Sequence, residues 1–150
     1  MKLKGFDCED VGVLAAALEG AVVKVGDMAF QPRRRRFVLL LNRFRWEADA
    51  AGTPGPAGGS RVRCGVRFDG VLTVRTRGFR ITEPDTVLEL LTLACQVTEP
   101  PAAELTLIFA GGFEAVLSAE CVEITLEDIG QPWPTASRPE HDRESEAGGS

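Results

Sequence analysis

Arg61-Val62-Arg63-Cys64-Gly65-Val66-Arg67-Phe68-Asp69-Gly70-Val71-Leu72-Thr73-Val74-Arg75-Thr76-Arg77 is the stretch whose pattern decides the fold. Val62, Cys64, Val66 and Phe68 alternate with Arg61, Arg63 and Arg67, the period of a strand with one buried face. Asp69-Gly70 has the residue types of a two-residue hairpin turn, and beyond it Leu72 and Val74 stand opposite Thr73, Arg75 and Arg77. The pattern predicts two adjacent antiparallel strands that project arginines from one face.

Upstream, Phe37 to Trp46 reads as a strongly apolar strand. Its two parities, Val38-Leu40-Asn42-Phe44-Trp46 and Phe37-Leu39-Leu41-Arg43-Arg45, suggest burial on both faces at the start and on one face at the end. Residues 48–60 hold four Gly and two Pro, a composition that forms a flexible loop rather than an element. Nearer the start, a short strand from Lys2 to Phe6 leads to Asp7, a helix cap with Asp10 in place of the usual capping-box Glu. Val11, Leu14 and Leu18 share one helix face, and Gly20 ends the helix. Val23, Val25 and Ala29 then read as extended, and Gln31-Pro32-Arg33-Arg34 as a turn.

Downstream, Thr82-Glu83-Pro84-Asp85 signals a second helix continued by Val87, Leu88 and Leu91, with an extended run from Thr92 to Thr98 stopped at Pro100-Pro101. Glu104 to Ala110 and Phe113 to Glu127 form a hairpin around Gly111-Gly112. In its second arm the apolar parity slips by one near Cys121-Val122, which predicts a β-bulge there. The resulting class is α+β: a mostly antiparallel sheet curling toward a barrel, with two short helices. Residues 2–47 and 71–127 both read as β-α-β-β, so an internal duplication and a chance likeness stand as equal alternatives. One domain covers residues 1–130, and residues 131–150 read as an acidic, largely disordered tail relieved by Trp133.

The chain has 150 residues and a formal net charge of −5, but the charge is split. Residues 24–80 carry thirteen basic residues against four acidic, and residues 83–150 carry fourteen acidic against two basic. Such a bipolar chain can satisfy its charges internally, pair with a copy of itself, or offer the basic part to an anionic partner.

Candidate chemistry is sparse. Cys8, Cys64, Cys95 and Cys121 form no C-x-x-C pair, suggest neither a zinc site nor a redox dithiol, and read as small buried hydrophobes in a reducing cytosol. The start lacks a signal-peptide apolar core and no run reaches membrane-spanning length, so a soluble cytoplasmic protein without a membrane partner is expected. His141 is the sole histidine and lies in the tail, and the glycines spell no phosphate loop. No catalytic residue, metal site or cofactor is assigned.

The best site candidate is Asn42, Arg43, Arg45, Trp46 and Glu47, where a pair of guanidinium forks stands beside a carboxylate and can bind a carboxylate or phosphate. Arg61, Arg63, Arg75 and Arg77 join it as the Arg-rich face. The structural alternative is a cross-strand ladder in which Glu120, Glu123 and Glu127 counter these arginines. Arg33 to Arg36 reads as a solvated hairpin tip guarding Phe37 to Leu41. Nucleic acid is not an expected partner, since Tyr is absent and the acidic half repels phosphate.

Val25-Gly26-Asp27-Met28-Ala29, Arg36-Phe37, Asn42-Arg43-Phe44-Arg45-Trp46-Glu47, Val71 to Gly78 and Leu107 to Gly112 together resemble the signature of a bacterial family of unknown function, DUF2948. The resemblance covers nearly the whole chain and implies no activity. The leading expectation is a non-enzymatic interaction module whose Arg-rich face binds an acidic protein surface or a second copy. The alternative is a small anionic-ligand binder, or an enzyme with an Arg-lined pocket around Arg43, Arg45 and Glu47. Nucleic-acid binding ranks third.

Overall fold

Asp7 adopts an extended backbone conformation and its side chain accepts a hydrogen bond from the Asp10 amide at 2.8 Å, while Asp10 Oδ2 accepts one from the Phe6 amide at 2.8 Å. This reciprocal cap starts α1 (Cys8–Leu18), which buries Val11, Leu14, Ala15 and Leu18 and gives way to Gly20 at φ 81°. Asp7→Ala is expected to cost about 1 kcal/mol of stability, read from the urea midpoint at unchanged slope. The computed structural model that shows this describes residues 1–47, 59–80 and 82–135. Most of the loop read at 48–60, and the tail from residue 136, lie outside the described residues.

Around α1 runs an antiparallel sheet of β1 (Lys2–Gly5), β2 (Ala21–Lys24), β3 (Met28–Gln31), β4 (Arg36–Phe44), β5 (Ser60–Asp69), β6 (Val71–Arg77), β7 (Val87–Val97), β8 (Ala103–Phe109), β9 (Phe113–Ala119) and β10 (Ile124–Pro134). The order is β1-β10-β5-β4-β2-β7-β8-β9-β6, with β3 also paired to β4. Two 3-10 turns, Val25–Asp27 and Pro32–Arg34, flank β3. The sheet does not close into a barrel, since β1 pairs only with β10 and β6 only with β9. Alternate residues from both halves, among them Phe37, Leu39, Val66, Phe68, Leu107, Phe109 and Leu117, nevertheless meet α1 in one buried cluster.

The Gly111-Gly112 hairpin forms, with Phe109 opposite Phe113. Other expectations need correction. Asp69-Gly70 does not close a hairpin between neighbours, because β5 pairs with β4 and β10 whereas β6 pairs with β9. The groups a hairpin would pair internally go elsewhere: the Asp69 amide to Glu123 O, the Val71 amide to Arg35 O, and Gly70 O to the Glu120 amide. Buried Val71 pins this corner, where the chain crosses from one half of the sheet to the other.

No helix forms at residues 82–91, and the strand read as running to Trp46 ends at Phe44, with Trp46 and Glu47 in helical conformation. Residues 84–86 are held by hydrogen bonds from the Val25 amide to Thr86 O and from the Gly26 amide to Pro84 O. Strand burial then takes over, with Leu88 and Leu90 in the core and a register shift between Leu90 and Thr92. Without that helix the second half does not repeat a β-α-β-β unit. The parity slip near Cys121 is a strand break rather than a bulge: β9 ends at Ala119 between β8 and β6, and β10 begins at Ile124 between β1 and β5. β10 also continues past Gly130, with Trp133 opposite Arg61 and Pro134 opposite Ser60.

The cysteines differ as well. Cys8 and Cys95, 87 residues apart, are joined in a disulfide across 5.3 Å between Cα atoms, whereas Cys64 and Cys121 are free. Sequence separation hid this proximity, which arises because α1 lies along β7.

Candidate functional site

Phe37, Leu39, Leu41 and Arg43 take the inward parity of β4, so the arginine follows three core residues into the interior and is fully buried. Asp128 takes the inward parity of β10 after Ile124 and Leu126. Two opposite charges at core-facing positions must pair, and they do so in a fork: Arg43 Nε to Asp128 Oδ1 and Nη2 to Oδ2, both at 2.7 Å. The other side of the guanidinium meets Glu47, Nη1 to Oε1 at 2.9 Å and Nη2 to Oε2 at 2.6 Å, and Nη1 also donates to Phe44 O at 3.2 Å. All five N–H donors of Arg43 are engaged within the fold, and none remains for a ligand.

The electrostatics follow from that geometry. Burial opposes the charge on Arg43, but its bonds to Asp128 and Glu47 outweigh this and raise its pKa. The Arg43 hydrogen bonds hold the Glu47 carboxyl below its ordinary value against the effect of burial. For Asp128, burial pushes upward, and the bonds and charge of Arg43 overcome it. Cys64, opposite Asp128 in the β5–β10 ladder, has its thiol pushed up to about 12 by burial and by the Asp128 charge, so it holds no thiolate near neutral pH.

The rest of the motif is similarly occupied. Phe44 is buried and meets Trp46 edge-on at 4.6 Å, and Trp46 Nε1 donates to Glu19 O at the end of α1 at 2.9 Å. Arg45 donates to Ser60 Oγ at 3.0 Å, and its amide bonds to Ser60 O at 2.9 Å. Arg61 donates to Gly20 O and Asn42 O, each at 3.3 Å, and stands 5.9 Å from the Phe44 ring centre. Burial lowers its pKa, partly offset by Glu89. Thus Asn42 to Glu47 fasten the end of β4 to α1, β5 and β10.

The single Arg-rich face separates into two. Arg61, Arg63 and Arg67 lie on β5, while Arg75 and Arg77 lie on β6 at the far edge. The counter-charges are not those expected from the ladder: Arg63 meets Asp27 at 3.5 Å, Arg67 meets Asp69 at 2.9 Å, Arg75 meets Glu104 at 3.2 Å and Arg35 meets Glu120 at 2.7 Å. Arg77 is exposed opposite Glu114.

A feature that sequence reasoning missed lies on the outward face of β3, β4, β5 and β10. Register places Leu40, Gly65 and Glu127 in one row across three strands, with Val38, Arg67 and Thr125 in the next. Gly65 interrupts the outward arginines Arg63 and Arg67, and its missing side chain leaves a groove of about 520 Å³. A Cβ at Gly65 would stand 3.4 Å from Ile129 Cδ1 and 3.6 Å from Leu40 Cδ2. Leu40 and Ile129 are 40% and 48% exposed, large for aliphatic residues on a folded strand. The available signal was that glycine, the lone break in an alternating Arg series.

Among the described residues no helix is long and apolar enough to cross a membrane, and no three His, Cys, Asp or Glu side chains are grouped to hold a metal ion. The profile of a family described as "Protein of unknown function (DUF2948)" matches residues 1–141, and the chain belongs to that family. No curated protein and no solved structure matches it.

Proposed function

We propose that this member of the DUF2948 family is a non-enzymatic binding module that holds an extended segment of a partner protein, rich in aliphatic and acidic residues, in the groove over Gly65. The observation that carries the reading is the groove itself: exposed Leu40 and Ile129 with Val38 offer apolar contact, and Arg63 and Arg67 stand on either side along β5. Both guanidiniums are partly exposed: Arg63 is held by Asp27 and by Asn42 Oδ1 at 3.4 Å, and Arg67 by Asp69, which Arg36 also holds, so a partner's acid can join these arginines while Asp69 keeps Arg36. Lys2 and Lys4 of β1, which stand opposite Glu127 and Thr125 in the ladder, extend the basic side. The Arg43 clamp, by contrast, has no free donor, so it supports the face without touching the partner.

The test uses a fluorescent octapeptide of alternating Leu and Glu, with its Leu–Lys counterpart as control. The Leu–Glu peptide is expected to bind at least about tenfold more tightly, with affinity falling as salt rises from about 0.1 M to 1 M. Gly65→Leu, which fills the groove, and Arg67→Glu are each expected to weaken binding about tenfold at unchanged melting temperature. Equal binding of the two peptides, or full affinity in Gly65→Leu, would show that the groove is not the site.

A further inference from the structure

We infer that the Cys8–Cys95 pair is a reversible thiol–disulfide latch that fastens the β1–α1 unit to β7. The two sulfurs are bonded, and both residues are only half-buried, so a small thiol or disulfide can reach them. Cys8 is the first residue of α1 and Cys95 lies near the end of β7, so the bond fixes the start of the helix three residues ahead of Val11, its first core side chain. Val11, Leu14, Ala15 and Leu18, buried from three residues beyond Cys8 onward, hold the rest of the helix to the core without the bond's help. β1 packs closely on α1, since a Cβ at Gly5 would come 2.8 Å from Leu14 Cδ1, and it is held besides by its ladder to β10, by Leu3 against the core and by Met1 on Asp128. The latch therefore sets how firmly an edge strand is held beside β10, whose Thr125, Glu127 and Ile129 line the groove.

Closure needs an oxidant of the small-molecule disulfide class. The thiolate of one latch cysteine attacks a sulfur of glutathione disulfide, forming a mixed disulfide and releasing one glutathione thiolate. The second latch thiolate attacks that protein sulfur, forms the Cys8–Cys95 bond and releases the second glutathione. Two thiols of the protein are oxidised and one glutathione disulfide is reduced to two thiols, the two protons lost by the protein thiols being taken up, through solvent, by the two glutathione thiolates. Buried Cys64, whose thiol is held protonated, takes no part.

The experiment equilibrates the full chain with glutathione disulfide or with dithiothreitol, followed by peptide mapping and hydrogen exchange. A linked Cys8–Cys95 peptide is expected after oxidation, and both sites should label as free thiols after reduction. Because the bond closes a long loop, reduction should lower Tm by on the order of 10 °C and speed exchange about tenfold in residues 2–10, with β8 and β9 unchanged. Cys8→Ser should reproduce the reduced state and ignore dithiothreitol, and Cys95→Ser does the same should Cys8→Ser fail to fold. Four free thiols after glutathione disulfide, or identical exchange in residues 2–10 in both states, would overturn the latch.

Discussion

Replacing Arg43 by Met is expected to cost about 3–5 kcal/mol, because the clamp loses its buried cation and leaves Asp128 only the Met1 ammonium at 3.2 Å and Glu47 only Arg45 at 3.9 Å. For a chain of this size that corresponds to a fall in Tm of about 10 °C. Asp128→Asn in the same background should recover at least about 1 kcal/mol, since it removes the more buried of the two stranded carboxylates, and a double-mutant cycle reads this coupling. The pH dependence has a fixed sign. Both carboxylates titrate below their ordinary values of about 4 when folded, so their contribution is present above pH about 4.5 and is lost as pH falls through the folded values. The acid limb of the stability curve should be shallower in Arg43→Met than in the parent. A loss under about 1 kcal/mol, with an unchanged acid limb, would mean that the clamp is not a structural centre.

The second large effect concerns the shared core. Phe109 on β8 lies in the half of the sheet remote from the two tryptophans, yet it belongs to the same buried cluster as Phe37 and Phe68. Phe109→Ala is expected to cost about 3–5 kcal/mol through lost burial and the cavity left beside Phe79. Trp46 adjoins Phe44 after β4 and Trp133 lies on β10, so their fluorescence reports the other half. One core requires that fluorescence and far-UV circular dichroism give coincident unfolding midpoints in the mutant. Separate midpoints, with the tryptophan signal unmoved, would show two independently stable halves.

What the sequence disclosed, and what it hid, divides by distance along the chain. The α1 cap, the turn at Pro32, the β5 alternation and the Gly111-Gly112 hairpin are local, set by side chains within a few residues of one another, and each forms. Asp69-Gly70 misled because a glycine with positive φ serves a corner as well as a hairpin, and only the long-range bonds of Asp69, Gly70 and Val71 distinguish the two. Val87, Leu88 and Leu91 match a short helical period, but pairing with β2 and β8 outweighs that preference.

The site followed the same rule. Arg43 and Glu47 are four residues apart and their association was legible, while Asp128 lies 85 residues from Arg43 and turned a ligand fork into an internal clamp. Its presence at an inward parity beside Ile124 and Leu126 was the unread clue. Likewise Gly65 carries no local meaning beyond the gap it leaves between Arg63 and Arg67, and only register sets it beneath Leu40 and Ile129.

The division of labour between clamp and groove is tested most directly by amide and arginine Nε–H resonances during titration with the Leu–Glu octapeptide. Shifts are expected at Ala29, Val38, Leu40, Gly65, Arg67 and Ile129, with the Arg43 Nε–H signal unmoved because its bond to Asp128 is buried and complete. Shifts centred on Arg43, Arg45 and Glu47, with Gly65 and Leu40 silent, would contradict it and place the binding site at the clamp.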